Sequence, residues 1–328
     1  MSVWTWANLG VIGVLCGWLL SHSYPPVRAV RLRNALLLRP SGSADFAWEP
    51  SAAPADFALE TRTPHPVFVD TVRALGIGRN TSDWDAALRL ADHLTKNAGD
   101  RGPIQADLQT TYRRLQQGYG YCADFTKVFL GLAHAAGLFA RQWAFSFDGF
   151  GGHGHALVEV FDRQRGKWVL LDVFNNFHAV DAASGEPLGA LEFRERLRDA
   201  DDPGAQLVKN GPGRPGWSDL SKAFDYYRRG LDQWYLLWGN AVLSYDAQPL
   251  VRRASRLSGA IGQFVAVAMR VHPTIRILPT TSNRTLVAQL VALRARLCVV
   301  LVLLVLAGIL LAAQLAISMT GPHGAVAP

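Results

Sequence analysis

The sequence predicts an α+β domain, a core helix packed on an antiparallel sheet, held between two apolar segments of bilayer length. Three observations carry this. Phe125, Val128, Phe129, Leu132, Ala133 and Ala136 recur at the spacing of one helix face. Three strand-like runs follow, Arg141–Phe147, His155–Phe161 and Lys167–Val173. Uncharged stretches close both ends of the 328-residue chain.

In chain order, Val3–Leu20 is uncharged and lacks the basic n-region and small-x-small cleavage site of a signal peptide, so it reads as an uncleaved anchor over residues 1–24. Residues 25–60, with Pro40, Pro50 and Pro54, read as an extended lead-in. The soluble domain is expected over 61–246. Within it, Thr81-Ser82-Asp83 caps a helix that ends by Gly99, a second helix covers about Ile104–Gln117, and the core helix opens at Cys122 and stops at Gly137. The first and second strands are parted by the glycine-rich loop Asp148–Gly154, and Asp162–Gly166 is a hairpin turn. Helices are expected again near Gly189–Ala200 and Asp219–Leu237. Pro249–Val271, within a basic apolar region over 247–295, fits an interfacial helix or a cover for the core equally well. Leu297–Ser318 is long enough to span the roughly 30 Å hydrocarbon core, inside a C-terminal region over 296–328.

The net charge of +7 suggests nucleic acid until its placement is examined. Four arginines and no acid precede Asp45; eight arginines and no acid follow Asp246. These twelve exceed +7 by five, so residues 45–246 carry −5 and a nucleic-acid partner is excluded. The arginines flank the apolar segments on the side of the soluble domain, which by the positive-inside rule faces the cytoplasm.

Of three cysteines, Cys16 and Cys298 lie inside apolar segments, leaving Cys122 as the thiol placed for chemistry in water. A helix N-terminus and a neighbouring imidazolium are the usual means of favouring a thiolate. His155 opens a strand beside that helix. Asp172 would lie across the same hairpin, at or near register, to orient the ring. Asn175 and Asn176 are rival orienters, and Gln116, Gln117 and Tyr119 are candidate oxyanion donors beside the amide of Cys122. His153, His155 and Cys122 lack a fourth ligand, so no metal and no cofactor are expected. His134 reads as a surface or supporting residue, and Asp124 as an aid to the helix start. The aromatic group Tyr226, Tyr227, Trp234, Tyr235, Trp238 and Tyr245 suits packing better than a substrate groove.

Gly120-Tyr121-Cys122-Ala123-Asp124 opening a helix, Ala135–Arg141 before a strand, His155-Ala156-Leu157-Val158-Glu159-Val160 and Trp168-Val169-Leu170-Leu171-Asp172 together resemble the transglutaminase-like superfamily, a papain-related cysteine fold. The resemblance covers Tyr119–Phe174. It implies Cys122 as nucleophile, His155 as general base and acid, and Asp172 as orienting residue. Leu157 stands where an aromatic residue is common, and Val173-Phe174-Asn175 where a proline is, which implies a different substrate surface.

The expectation is a membrane-anchored thiol enzyme that forms an acyl-enzyme from an amide of a protein or peptide. Hydrolysis is favoured over transfer to an amine, because nothing resembles an amine-donor site or a calcium loop. The alternative is a non-enzymatic scaffold of a cell-envelope or polysaccharide assembly. Expected partners are the bilayer, through two transmembrane segments, and other membrane proteins.

Overall fold

A computed structural model describes residues 2–99, 101–104, 106–199, 201–213 and 220–320. It is a mixed α+β structure. Helix α1 (Val3–Ser23) is followed at once by α2 (Pro26–Leu37), then strand β1 (Leu38–Arg39) and helices α3 (Pro66–Ala74), α4 (Asp83–Thr95), α5 (Leu108–Leu115) and α6 (Cys122–Ala135). Strands β2 (Ala140–Ser146), β3 (Gly154–Asp162), β4 (Lys167–Leu171) and β5 (Phe177–Asp181) come next, then α7 (Ala190–Arg196), β6 (Ala205–Lys209), α8 (Leu220–Arg229) and β7 (Trp234–Trp238). Helices α9 (Val242–Asp246), α10 (Pro249–Leu257) and α11 (Gly259–Ala268), strand β8 (Thr274–Ile277) and helix α12 (Arg284–Thr320) complete the chain.

The main sheet runs β1-β8-β7-β2-β3-β4, antiparallel except for the β1–β8 pair; β5 and β6 form a second, antiparallel pair. One core lies between α3–α6 and the sheet face carrying Val158 and Val160. Another, rich in Trp and Phe, lies on the face carrying Leu157, covered by α7 and α8. In a third, α2, β7, β8, Phe150 and the first turns of α12 meet. Helices α1 and α12 are long and apolar enough to cross a bilayer. They pack together, with the Asn8 amide donating to the Ala307 carbonyl at 3.0 Å.

The helix starts at Ser82 and Cys122 and the three strands agree with the sequence to within two residues at each end. Other segments differ. Residues 25–60 are not extended throughout, because Pro26 at the first helical position starts α2, whose Ala35 and Leu37 are buried. Asp219–Leu237 is not one helix: α8 ends at Arg229, and Trp234–Trp238 inserts between β2 and β8 as a strand. Ala200 and Asp219, limits set for two helices, lie outside the described residues. Pro249–Val271 breaks at Ser258, whose φ of −164° and ψ of 140° are extended. The pairs β5–β6 and β1–β8 and helix α3 were not anticipated.

Candidate active site

Cys122 is the first residue of α6 and is half-buried. Gly120 sets the approach with φ of +107°, and a Cβ there would stand 2.4 Å from Leu115 Cδ2, so no other residue fits without a shift. The carboxylate of Asp124 closes the first turn by accepting the Tyr121 N–H at 2.9 Å and the Ile104 N–H at 3.1 Å. Asp124 thus supports the helix start by hydrogen bonds as well as by charge. The Asp124 N–H donates to the Tyr121 carbonyl at 2.8 Å, whereas the N–H groups of Cys122 and Ala123 precede the first intrahelical bond.

His155 lies one residue inside β3, where Gly154 allows the strands to close: a Cβ at 154 would lie 1.9 Å from the Phe145 carbonyl oxygen. The ring is buried among Phe145, Phe174, Tyr226 and Tyr227. Its Nε2 lies 2.7 Å from Asp172 Oδ2. A carboxylate only accepts, so Nε2 carries the hydrogen and Nδ1 is left for another partner.

The pairing that joins these two residues is not the one expected. The last ladder pair of the hairpin is Val158↔Leu171, so alternation sets Asp172 against Leu157, and His155 lies two residues further along. A shift of two keeps His155 on the same face, and a diagonal neighbour is within reach of a ring and a carboxylate. The turn itself is fixed by Asp162 Oδ1, which accepts from the Gln164 N–H at 2.9 Å, and by Arg163, which is bonded to Asp83 at the start of α4.

Asp172 is buried and saturated. Oδ2 accepts from His155 Nε2, from Asn175 Nδ2 at 2.8 Å and from the Tyr227 hydroxyl at 2.6 Å, and Oδ1 accepts the Asn175 N–H at 3.1 Å. Burial opposes its charge, but His155 and these donors outweigh burial and hold the carboxyl below its ordinary range. For His155 burial likewise opposes protonation. Asp172 first, with Tyr226 and the Cys122 sulfur, overcomes it and holds the imidazole well above its usual 6.5.

Asn175 serves the carboxylate rather than the histidine. Asn176 is turned away, its amide donating to Asp92 Oδ1 at 2.7 Å and to the Pro212 carbonyl at 2.7 Å. His134 is engaged with the Arg62 carbonyl at 2.8 Å, at the far end of α6. The Gln116 amide reaches the His93 carbonyl and the Tyr119 N–H donates to Arg114, while Gln117 is exposed. His153 is exposed, and among the described residues no three His, Cys, Asp or Glu side chains gather as a metal site. The aromatic group divides: Trp234 and Trp238 are core, whereas Tyr226 and Tyr227 line the His155 ring. Nothing local in the sequence signals the bond from Tyr227 to Asp172, 55 residues apart.

No curated protein and no solved structure matches this chain. Residues 70–173 match the family described as the transglutaminase-like superfamily, a span from within α3 to one residue past Asp172 that holds Cys122, His155 and Asp172. The chain carries a domain of the transglutaminase-like superfamily over those residues.

Proposed function

We propose that the protein is a membrane-anchored thiol enzyme that attacks an amide carbonyl through Cys122. The observation that supports this most is the buried His155–Asp172 pair, bonded through Nε2 at 2.7 Å, in a chain whose Cys122 opens a helix. With Nε2 held, Nδ1 is the nitrogen for the thiol. Sulfur adds to the carbonyl carbon, and the oxyanion is received by the Cys122 N–H at the helix start. His155 passes its proton to the leaving amine as the C–N bond breaks, leaving a thioester. Water then gives a proton to His155, adds to the thioester, and releases the acid and the thiol. An amine in place of water would give acyl transfer; hydrolysis is the simpler outcome and needs no second binding site.

Helices α1 and α12 would be the anchors. Both join the domain at the same end, and every basic residue outside 45–246 lies on that side of the apolar stretches, which supports a cytoplasmic domain. A protein or peptide substrate fits the reaction.

Alkylation of Cys122 by iodoacetamide at pH 6, followed by mass spectrometry of its peptide, tests the chemistry. A free thiol with pKa of about 8.5 is roughly 0.3% thiolate at that pH. Allowing for the weaker nucleophilicity of low-pKa thiolates, an imidazolium-paired thiol reacts about five- to tenfold faster. His155→Ala should remove the advantage. Ordinary reactivity in the unaltered protein would overturn the enzyme reading and leave a scaffold that retains the fold.

A further inference from the structure

Helices α10 and α11 turn their large apolar residues outward. In α11, Ile261, Phe264 and Ala268 follow one another at helical spacing, with Ile261 47% and Phe264 54% exposed, while Gly262 and Ala266 face inward; Leu257, 80% exposed at the end of α10, precedes them across the break at Ser258. On a helix that covers a core the pattern is the reverse. A contiguous apolar stripe of this kind marks a contact. Exposed Arg252, Arg253, Arg256 and Arg270 frame it, and no acid follows Asp246.

The location identifies the occupant. Helix α11 packs on α2, and Arg33 Nη1 of α2 donates to Gln263 Oε1 of α11 at 3.3 Å. Helix α2 begins three residues after the last residue of α1 and packs on both α1 and α12. The stripe therefore lies at the level where the two long apolar helices leave the domain.

We propose that α10 and α11 lie in the headgroup layer of an anionic bilayer, with Leu257, Ile261 and Phe264 at the acyl boundary and the arginines on lipid phosphates. The charge matches, and the surface is continuous with the helices read as anchors. This rests on the reading that α12 spans the bilayer, so the test probes both.

Nitroxide labels would be attached at Phe264→Cys, Val305→Cys and Ala183→Cys in the full-length chain with its three native cysteines replaced by serine. The proteins would be reconstituted in vesicles of phosphatidylcholine and phosphatidylglycerol in equal parts. Accessibility to oxygen and to a water-soluble nickel chelate gives depth. The label at 305 should lie in lipid, that at 183 in water, and that at 264 about 5–10 Å below the headgroups. Replacing Arg252, Arg253 and Arg256 by Gln should move the 264 label toward water in these vesicles and leave it unmoved in phosphatidylcholine alone. A 264 label as open to nickel as that at 183, with 305 in lipid, overturns the inference and spares the anchor. A 305 label in water overturns both. A 264 label shielded from oxygen and nickel alike shows a protein cover and also overturns the inference.

Discussion

Tyr227→Phe separates a positioning role from simple packing, because its two expected effects have opposite signs. The Tyr227 hydroxyl donates to Asp172 Oδ2 at 2.6 Å from a fully buried ring. Phenylalanine keeps the shape and leaves no unpaired group of its own. The loss includes the hydrogen bond to a buried carboxylate, about 2 kcal/mol. For a domain of this size that is about 4–8 °C in Tm.

The charge balance of the pair moves the other way. Asp172 would share its oxygen with one donor fewer and hold the His155 proton more strongly. The imidazole, already well above its usual 6.5 because Asp172 outweighs burial, should rise further. Thermal unfolding of the purified protein measures the first effect. The alkaline inflection of the Cys122 alkylation profile measures the second and should move up by about half a unit or more. An unchanged Tm with an unmoved inflection, or an inflection moved downward, would refute the reasoning.

The same pair makes stability depend on pH. His155 is raised above 6.5, so its contribution is complete below 6.5 and fades as pH rises through the folded value; Asp172 is lowered below 3.8, so its contribution is lost only as pH falls through its folded value. The Tm gap between the unaltered protein and His155→Gln should be widest between pH 4 and 6.5 and shrink above. Gly154→Ala puts a Cβ 1.9 Å from the Phe145 carbonyl and 2.8 Å from Ser146 Cα, both backbone, so β2 and β3 must part beside His155. A loss of about 2 kcal/mol or more is expected in thermal melts, with fast alkylation at pH 6 gone. Asn8→Ala removes the bond to the Ala307 carbonyl, worth about 0.6 kcal/mol inside a bilayer. Cross-linking between cysteines placed on α1 and α12 should then weaken about threefold.

The elements legible in the sequence are those whose apolar residues form a helical stripe or a short run bounded by caps and turns. In α6, Phe125, Val128, Phe129, Leu132 and Ala133 of the apolar stripe are all buried, and burial extends beyond the stripe to Thr126, Leu130 and Gly131. Strand β7 gave no such signal: four of Trp234–Trp238 are buried, the run is apolar on both faces, and five residues without alternation read as easily as a helix. Helix α2 was hidden by its arginines, since its buried side is short and packs on the loop before His155. The candidate residues Cys122, His155 and Asp172 stand out in the sequence because each sits in a local motif. Tyr227 was not, because only the docking of α8 against the second core brings its hydroxyl to Asp172.

The hairpin shows which errors a sequence reading survives. The true pairing differs from the expected one by two residues, and an even shift leaves His155 on the face that carries Asp172; a shift of one would have sent the ring into the core against α6. The loop before His155 is tied in turn to α2, where the Asn34 amide donates to the Phe150 carbonyl at 2.8 Å and the Gly152 N–H to the Val27 carbonyl at 3.2 Å. Only Tyr24 and Pro25 separate α2 from α1. The strand that carries the candidate base is thus fastened, through one helix, to the segment proposed to enter the membrane. A substitution at Asn34 should therefore disturb the His155 end of β3 without touching any residue of the site.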